Sequence, residues 1–123
     1  MKQNLEKVIA DFKLETGYEL EIRDGSPYYN GNLDLRSTGI TSLPDGLVVD
    51  GVLDLENCTG ITSLPEGLTV GGDLDLYGTG ITSLPEGLAV GGSLYLENCT
   101  GITSLPDGLT VGGCLLCLVI IEP

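Results

Sequence analysis

Gly72-Asp73-Leu74-Asp75-Leu76-Tyr77-Gly78-Thr79-Gly80-Ile81-Thr82-Ser83-Leu84-Pro85-Glu86-Gly87-Leu88-Ala89-Val90-Gly91 decides the fold, because near copies of it fill the chain from Gly31 to Gly113. Counterparts of Leu74 stand at Leu33, Leu53, Leu94 and Leu115, at successive intervals of 20, 21, 20 and 21 residues. The extra residue has a fixed place: Leu76-Tyr77-Gly78-Thr79-Gly80-Ile81 becomes Leu96-Glu97-Asn98-Cys99-Thr100-Gly101-Ile102, and Leu55 to Ile61 repeats the longer form. Alternation of the period points to duplication of a pair of coils. A fixed period of this length predicts a repeat solenoid.

Within each unit, Leu-Asp-Leu puts two leucines at period two, so both face the inside of a short strand and the acid faces out. Ile81 and Leu84 supply further inward anchors. Pro85 fixes φ and removes a backbone donor, which predicts an extended arc and not a helix. Gly87, Gly91 and Gly92 are expected to turn the chain at φ values closed to residues with a Cβ. Glycine and proline in every coil leave no window for a helix of ordinary length.

The pattern Leu-x-Leu-x-x-(Thr or Cys)-x-Ile-x-x-Leu-Pro resembles the leucine-rich repeat, in the short bacterial and phage form that carries a Leu-Pro step in place of a convex helix. The resemblance covers 31–113. It implies short parallel strands, a non-helical convex side, and a sheet that serves as the binding surface. Thr38 and Thr79 stand where the family usually has asparagine, and Cys58 and Cys99 where its Cys-x-x-Ile variant has a buried cysteine. The family's first leucine falls here on Gly71, Gly91 or Gly112, with Val70, Val90 and Val111 one place earlier.

Before the repeats, residues 1–30 read as a cap. Leu5, Val8, Ile9 and Phe12 recur at helical spacing and Gly17 is placed to end the helix. The apolar stripe suits sealing the open end of a solenoid, with docking of a partner as the other use of the same face. Tyr18, Leu20 and Ile22 alternate with Glu19 and Glu21, which predicts a half-buried strand, and Arg23 to Pro27 reads as a turn. No apolar run follows Met1-Lys2-Gln3-Asn4 that would serve as a secretory signal, so a cytoplasmic setting is expected.

Charge and chemistry narrow the function. The chain has 123 residues, a net charge of −13, no histidine, and no Lys or Arg after Arg36, which makes nucleic acid and anionic membranes poor partners. Without histidine the commonest general base and metal ligand is missing, and no catalytic constellation is present, so an enzyme is not expected. Cys58 and Cys99 lie two coils apart, roughly 10 Å by strand spacing, too far for a disulfide. Cys114-Leu115-Leu116-Cys117 spells Cys-x-x-Cys, but on a strand its two thiols face opposite sides, and nothing supplies the helix or second ligand pair that such motifs use. Carboxylates on Asp54, Glu56, Asp73 and Asp75 offer a hard cation only loose contact, because no loop wraps it; neither a metal site nor a cofactor is expected.

Two acidic columns follow from the register. Asp34, Asp54 and Asp75 lie on the outward strand face, and Asp45, Glu66, Glu86 and Asp107 lie beside the Leu-Pro steps. The leading expectation is a protein-interaction scaffold whose strand face carries Asn32, Asp34, Arg36, Asp54, Glu56, Asp73, Asp75, Tyr77, Tyr95 and Glu97, suited to a basic protein partner. The bland use of the same residues is solubility. A second class is a structural or ice-contacting surface, since Thr41, Thr62, Thr82 and Thr103 form a column, each followed by serine. Residues 114–123 begin as a fifth strand and then abandon the repeat, placing Leu116 and Leu118 where earlier coils carry acids and tyrosines. Such an edge predicts end-to-end self-association through a homodimer, with a tail folded back as a cap, or a truncated larger repeat protein, as the alternatives.

Overall fold

The computed structural model describes residues 4–36, 38–99, 101–102 and 104–113, and the backbone of 115–116. Helix α1 (Leu5–Thr16) is followed by strands β1 (Glu21–Arg23), β2 (Ser26–Tyr29), β3 (Leu33–Asp34), β4 (Val48–Val49), β5 (Leu53–Asp54), β6 (Thr69–Val70), β7 (Leu74–Asp75), β8 (Ala89–Val90), β9 (Leu94–Tyr95), β10 (Thr110–Val111) and β11 (Leu115–Leu116). From β3 onward the chain is a parallel-strand β-solenoid of about four turns. Each turn places one strand in each of two parallel sheets, in the orders β11-β9-β7-β5-β3 and β2-β4-β6-β8-β10, with β1 added antiparallel beyond β2.

The first sheet is the one expected from Leu-Asp-Leu. Leu33 pairs with Leu53, Leu53 with Leu74, and Leu74 with Leu94, so every inward leucine stacks on its counterpart. All eight leucines of these pairs of positions, from Leu33 and Leu35 to Leu94 and Leu96, are wholly buried. Removing one such side chain from water contributes about 1.5–3 kcal/mol. Ile61, Ile81, Leu68, Leu88, Val70 and Val90 close the other sides of the coil, so a single slender core runs along the solenoid axis.

The second sheet was not anticipated. Beyond the hairpin strands β1 and β2, its strands are Val48–Val49, Thr69–Val70, Ala89–Val90 and Thr110–Val111, with Val49, Val70 and Val90 inward. Between the sheets, Pro85 to Leu88 form a turn closed by the Leu88 N–H donating to the Pro85 carbonyl at 3.3 Å. Gly87 sits at its third position with φ 75°, the left-handed conformation that a type II turn requires there.

Gly91 and Gly92 work differently from the expectation, since neither has positive φ. They are needed because the coils touch at this corner. A Cβ on Gly91 would press on the carbonyl oxygen of Gly71, and one on Gly112 on that of Gly91. Backbone bonds run straight through the corner, from Gly72 N–H to Gly51, Gly92 to Gly72 and Gly113 to Gly92, at 2.9, 2.9 and 2.7 Å. Absence of side chains lets the two ladders join without a break.

At the N-terminal end, Asn4 caps α1 by accepting from the Glu6 and Lys7 N–H groups, and Gly17 ends it at φ 84°. Phe12 is buried and Ile9 packs against the core, whereas Leu14 faces solvent. The expected strand through Tyr18, Leu20 and Ile22 is corrected: Leu20 is buried but the strand begins at Glu21 and Ile22 is 48% exposed. The expected turn also narrows to Asp24-Gly25, at φ 51° and 78°, because Ser26 already pairs with Arg23 and Pro27 with Ile22. Positive φ at both central residues is the hairpin turn that follows strand twist. The hairpin seals the second sheet, and the Tyr18 hydroxyl accepts the Asp34 N–H at 3.2 Å, occupying a donor on the edge of the first.

Candidate functional site

The outward face of the first sheet is a grid set by the coil register. Along one row stand Asn32, Val52, Asp73 and Ser93; along the next Asp34, Asp54, Asp75 and Tyr95; along the third Arg36, Glu56, Tyr77 and Glu97. Ladder bonds extend past the short strands, with Leu55 N–H to Asp75, Asn57 N–H to Tyr77, Leu76 N–H to Tyr95 and Gly78 N–H to Glu97 carbonyls at 2.8–3.1 Å. The face is therefore rigid across all three rows. All ten residues expected at the interaction surface stand in these rows.

These acids are not free charges on a surface. Asp34, Asp54 and Asp75 each turn Oδ1 back to accept the N–H two residues on, from Arg36, Glu56 and Tyr77, at 3.2, 3.0 and 3.0 Å. Asn32 and Asp73 reach instead to the next coil, accepting from the Val52 and Ser93 N–H groups at 2.8 and 2.7 Å. One carboxylate oxygen of each strand aspartate thus fixes the backbone, while the second oxygens of Asp34 and Asp54 are drawn to Arg36. The repeated aspartate of the strand has a structural task as well as an electrostatic one.

Arg36 changes the charge balance at the near end of the column. Its Nε and Nη2 donate to both oxygens of Asp34, at 2.9 and 2.8 Å, and Nε lies 3.6 Å from Asp54 Oδ2. The hydrogen bonds to Arg36 hold the Asp34 carboxyl below its ordinary range, and those same bonds raise Arg36. Farther along the sheet Asp75 is shifted the other way. Burial raises its pKa, the Tyr77 N–H opposes this, and the charges of Asp54 and Asp73 add to the rise while Arg36 lowers it.

Elsewhere, Asp45, Glu66, Glu86 and Asp107 form the expected second column and are all exposed at the turns. Thr41, Thr62 and Thr82 are exposed on the third side of the coil, where the Thr82 N–H and hydroxyl both bond to the Thr62 carbonyl, at 3.1 and 3.4 Å. Thr103 lies outside the described residues. Cys58 and Cys99 are free and buried, and their thiols donate to the Leu35 and Leu76 carbonyls one coil back at 3.0 and 2.9 Å. Cys114, Cys117, Leu118 and the side chain of Leu116 lie outside the described residues, although the Leu116 backbone pairs in register with Tyr95.

Among the described residues no three acids or cysteines converge as a metal site, and no helix is long and apolar enough to cross a membrane. Among the described residues, an open depression of about 340 Å³ lies beside Asp34, Arg36, Glu56 and Asn57, and another of about 220 Å³ lies between α1 and Ser42 to Pro44. Tyr77 and Tyr95, both half-buried, flank Asp75 on two sides of the grid, while Asp54 and Asp73 flank it on the other two. Comparison of the chain with family models, curated proteins and solved structures finds no match in any of the three.

Proposed function

We propose that the chain is a non-catalytic interaction scaffold of the leucine-rich-repeat type, which presents the acidic outward face of its first sheet to a basic protein in a reducing, cytoplasmic setting. The observation that carries this reading is the concentration of Asp54, Glu56, Asp73, Asp75 and Glu97 with two tyrosines on one rigid face that bears Arg36 as its single cation. A fixed array of one sign steers and orients a partner of the other sign. Buried free thiols at Cys58 and Cys99 agree with a reducing compartment. Titration of basic peptides at low and moderate ionic strength tests the proposal. Affinity should fall steeply with salt; binding unaffected by salt, or no binding at low salt, refutes it.

The threonine column supports a surface role less well, because the Thr82 hydroxyl is turned to the neighbouring coil's backbone. Self-association has one observation in its favour. Leu105 is 36% exposed where Leu64 and Leu84 are each 7%, and Leu109 and Val111 are only partly buried where Leu88 and Val90 are each 1% exposed. The last described coil thus leaves core side chains partly uncovered, while α1 and the hairpin cover the first. Pairing of two copies through this end would cover them. Light scattering across a concentration series tests it on the parent and on Leu116→Lys with Leu118→Lys. A parent that stays monomeric at high concentration refutes it.

A further inference from the structure

We propose that β1 is a self-association edge, along which two copies of the chain pair antiparallel about a two-fold axis at Ile22. This edge lies at the opposite end of the solenoid from β11 and belongs to the second sheet, apart from the acidic face of the first.

The hairpin that covers the second sheet moves its free edge outward without closing it. β1 stands last in the order β10-β8-β6-β4-β2-β1, and among the described residues no other strand pairs with its outer side. The backbone groups it offers follow from the turn. Arg23 and Ser26 flank the two-residue turn Asp24-Gly25, and the pair flanking such a turn exchanges hydrogen bonds. Glu21 and Tyr28 repeat that kind of pair two residues on, so Glu21 and Arg23 turn their N–H and C=O toward β2. Ile22 lies between them, opposite Pro27, and its N–H and C=O point to the open side. One residue with a free donor and a free acceptor is what a two-fold copy requires, since each Ile22 can donate to the other and accept from it.

Side chains on β1 obey the same axis. Antiparallel pairing centred on Ile22 sets it against Ile22 of the second copy, Glu21 against Arg23, and Arg23 against Glu21. Ile22 is 48% exposed, yet Leu20 two residues earlier and Pro27 across the pair are buried on the same face. It is a core-side residue that the chain leaves uncovered. Glu21 and Arg23 lie 4.0 Å apart, with the Arg23 guanidinium 4.1 Å over the Tyr28 ring, and both side chains remain more than half exposed on the outer face of the hairpin. A run of like charge would repel a copy of itself and blunt the edge; an acid and a base two residues apart attract one. Leu14 adds apolar area at this end, because it stands about 200° round α1 from the buried Phe12 and is turned away from the coils. A strand of 3 residues makes a small contact, so the dimer is reversible and concentration-dependent.

Sedimentation velocity across a concentration series tests the pairing on the parent, on Glu21→Arg, on Arg23→Glu, and on an equimolar mixture of the two variants, each variant first checked for the parent's circular dichroism. Glu21→Arg sets arginine against arginine at both cross-strand positions, and Arg23→Glu sets acid against acid, so each alone should associate about tenfold or more weakly than the parent. In the mixture both positions again oppose an acid to a base, and a heterodimer should form that neither variant makes with itself. Leu116→Lys with Leu118→Lys should leave the dimer intact. A parent that stays monomeric throughout the series overturns the proposal. Association that neither β1 variant weakens overturns its location, and association weakened by each variant without recovery in the mixture overturns the antiparallel register.

Discussion

Two glycines of one coil should differ in what they tolerate, and the difference is set by which physical demand each meets. Gly87 has φ 75° with nothing within 4 Å of an added Cβ, so Gly87→Ala pays only for a left-handed backbone, about 1 kcal/mol. Gly87→Asn should cost less, because asparagine visits that conformation readily. Gly91 has ordinary φ, yet its Cβ would press on the Gly71 carbonyl oxygen and stand 3.1 Å from the carbonyl carbon. Backbone cannot swing aside as a side-chain tip can. To admit the methyl the corner must open, loosening the bonds from Gly91 N–H to Val70 and Gly92 N–H to Gly72, at 2.8 and 2.9 Å. Each such bond contributes about 1 kcal/mol, and overpacking adds about 1–3 kcal/mol. Reduced freedom of the unfolded chain returns about 0.4–1 kcal/mol, leaving Gly91→Ala destabilised by about 3 kcal/mol. Urea unfolding followed by circular dichroism measures all three variants. A Gly91→Ala protein with the parent's midpoint, or one more stable than Gly87→Ala, would refute the stacked-corner explanation.

At Asp75 the folded pKa is raised, so its ionised form opposes folding, and stability falls as pH rises through the raised value. Asp75→Asn should therefore unfold at higher temperature than the parent near neutral pH, and the gain should vanish below the ordinary carboxylate range of about 4. A destabilised Asp75→Asn at neutral pH would contradict this. Asp34 has the opposite sign: its pKa is lowered, so its contribution is present above 3.8 and is lost on acidification. Cys58 and Cys99, buried and donating to carbonyls, should resist alkylation in the native protein and react in urea, as mapped by mass spectrometry. Cys99→Ala should cost about 1–2 kcal/mol through a small cavity and a lost thiol donor.

The repeat, the inward leucines and the Gly17 helix end were legible because each depends on side-chain volume or backbone freedom within a few residues. Thr69–Val70 and its counterparts escaped notice because two residues before a Gly-Gly pair read as loop; they become strand only by pairing with the coils on either side. Gly91 likewise looks locally like a turn residue, and its real constraint comes from Gly71, one coil away. Asp24-Gly25 carried a hairpin signal, but Ser26-Pro27 after it lengthened the apparent turn and hid strand β2. Of the candidate face, alternation in Leu-Asp-Leu revealed which residues point outward. It did not reveal that Asp54 and Asp75 cap their own backbone, or that Arg36 bridges two coils, because those contacts depend on the path of the chain after the strand.

Amide chemical shifts recorded by NMR while a basic peptide is added would locate binding on the molecule directly. The acidic sheet should respond first, with changes concentrated at Glu56, Asp75, Tyr77 and Tyr95 and saturating together, while Thr62, Thr82, Glu66 and Glu86 on the other sides of the coils stay in place. Changes centred on the turns that carry Asp45, Glu66, Glu86 and Asp107, or spread evenly over both acidic columns, would contradict the first sheet as the interaction face.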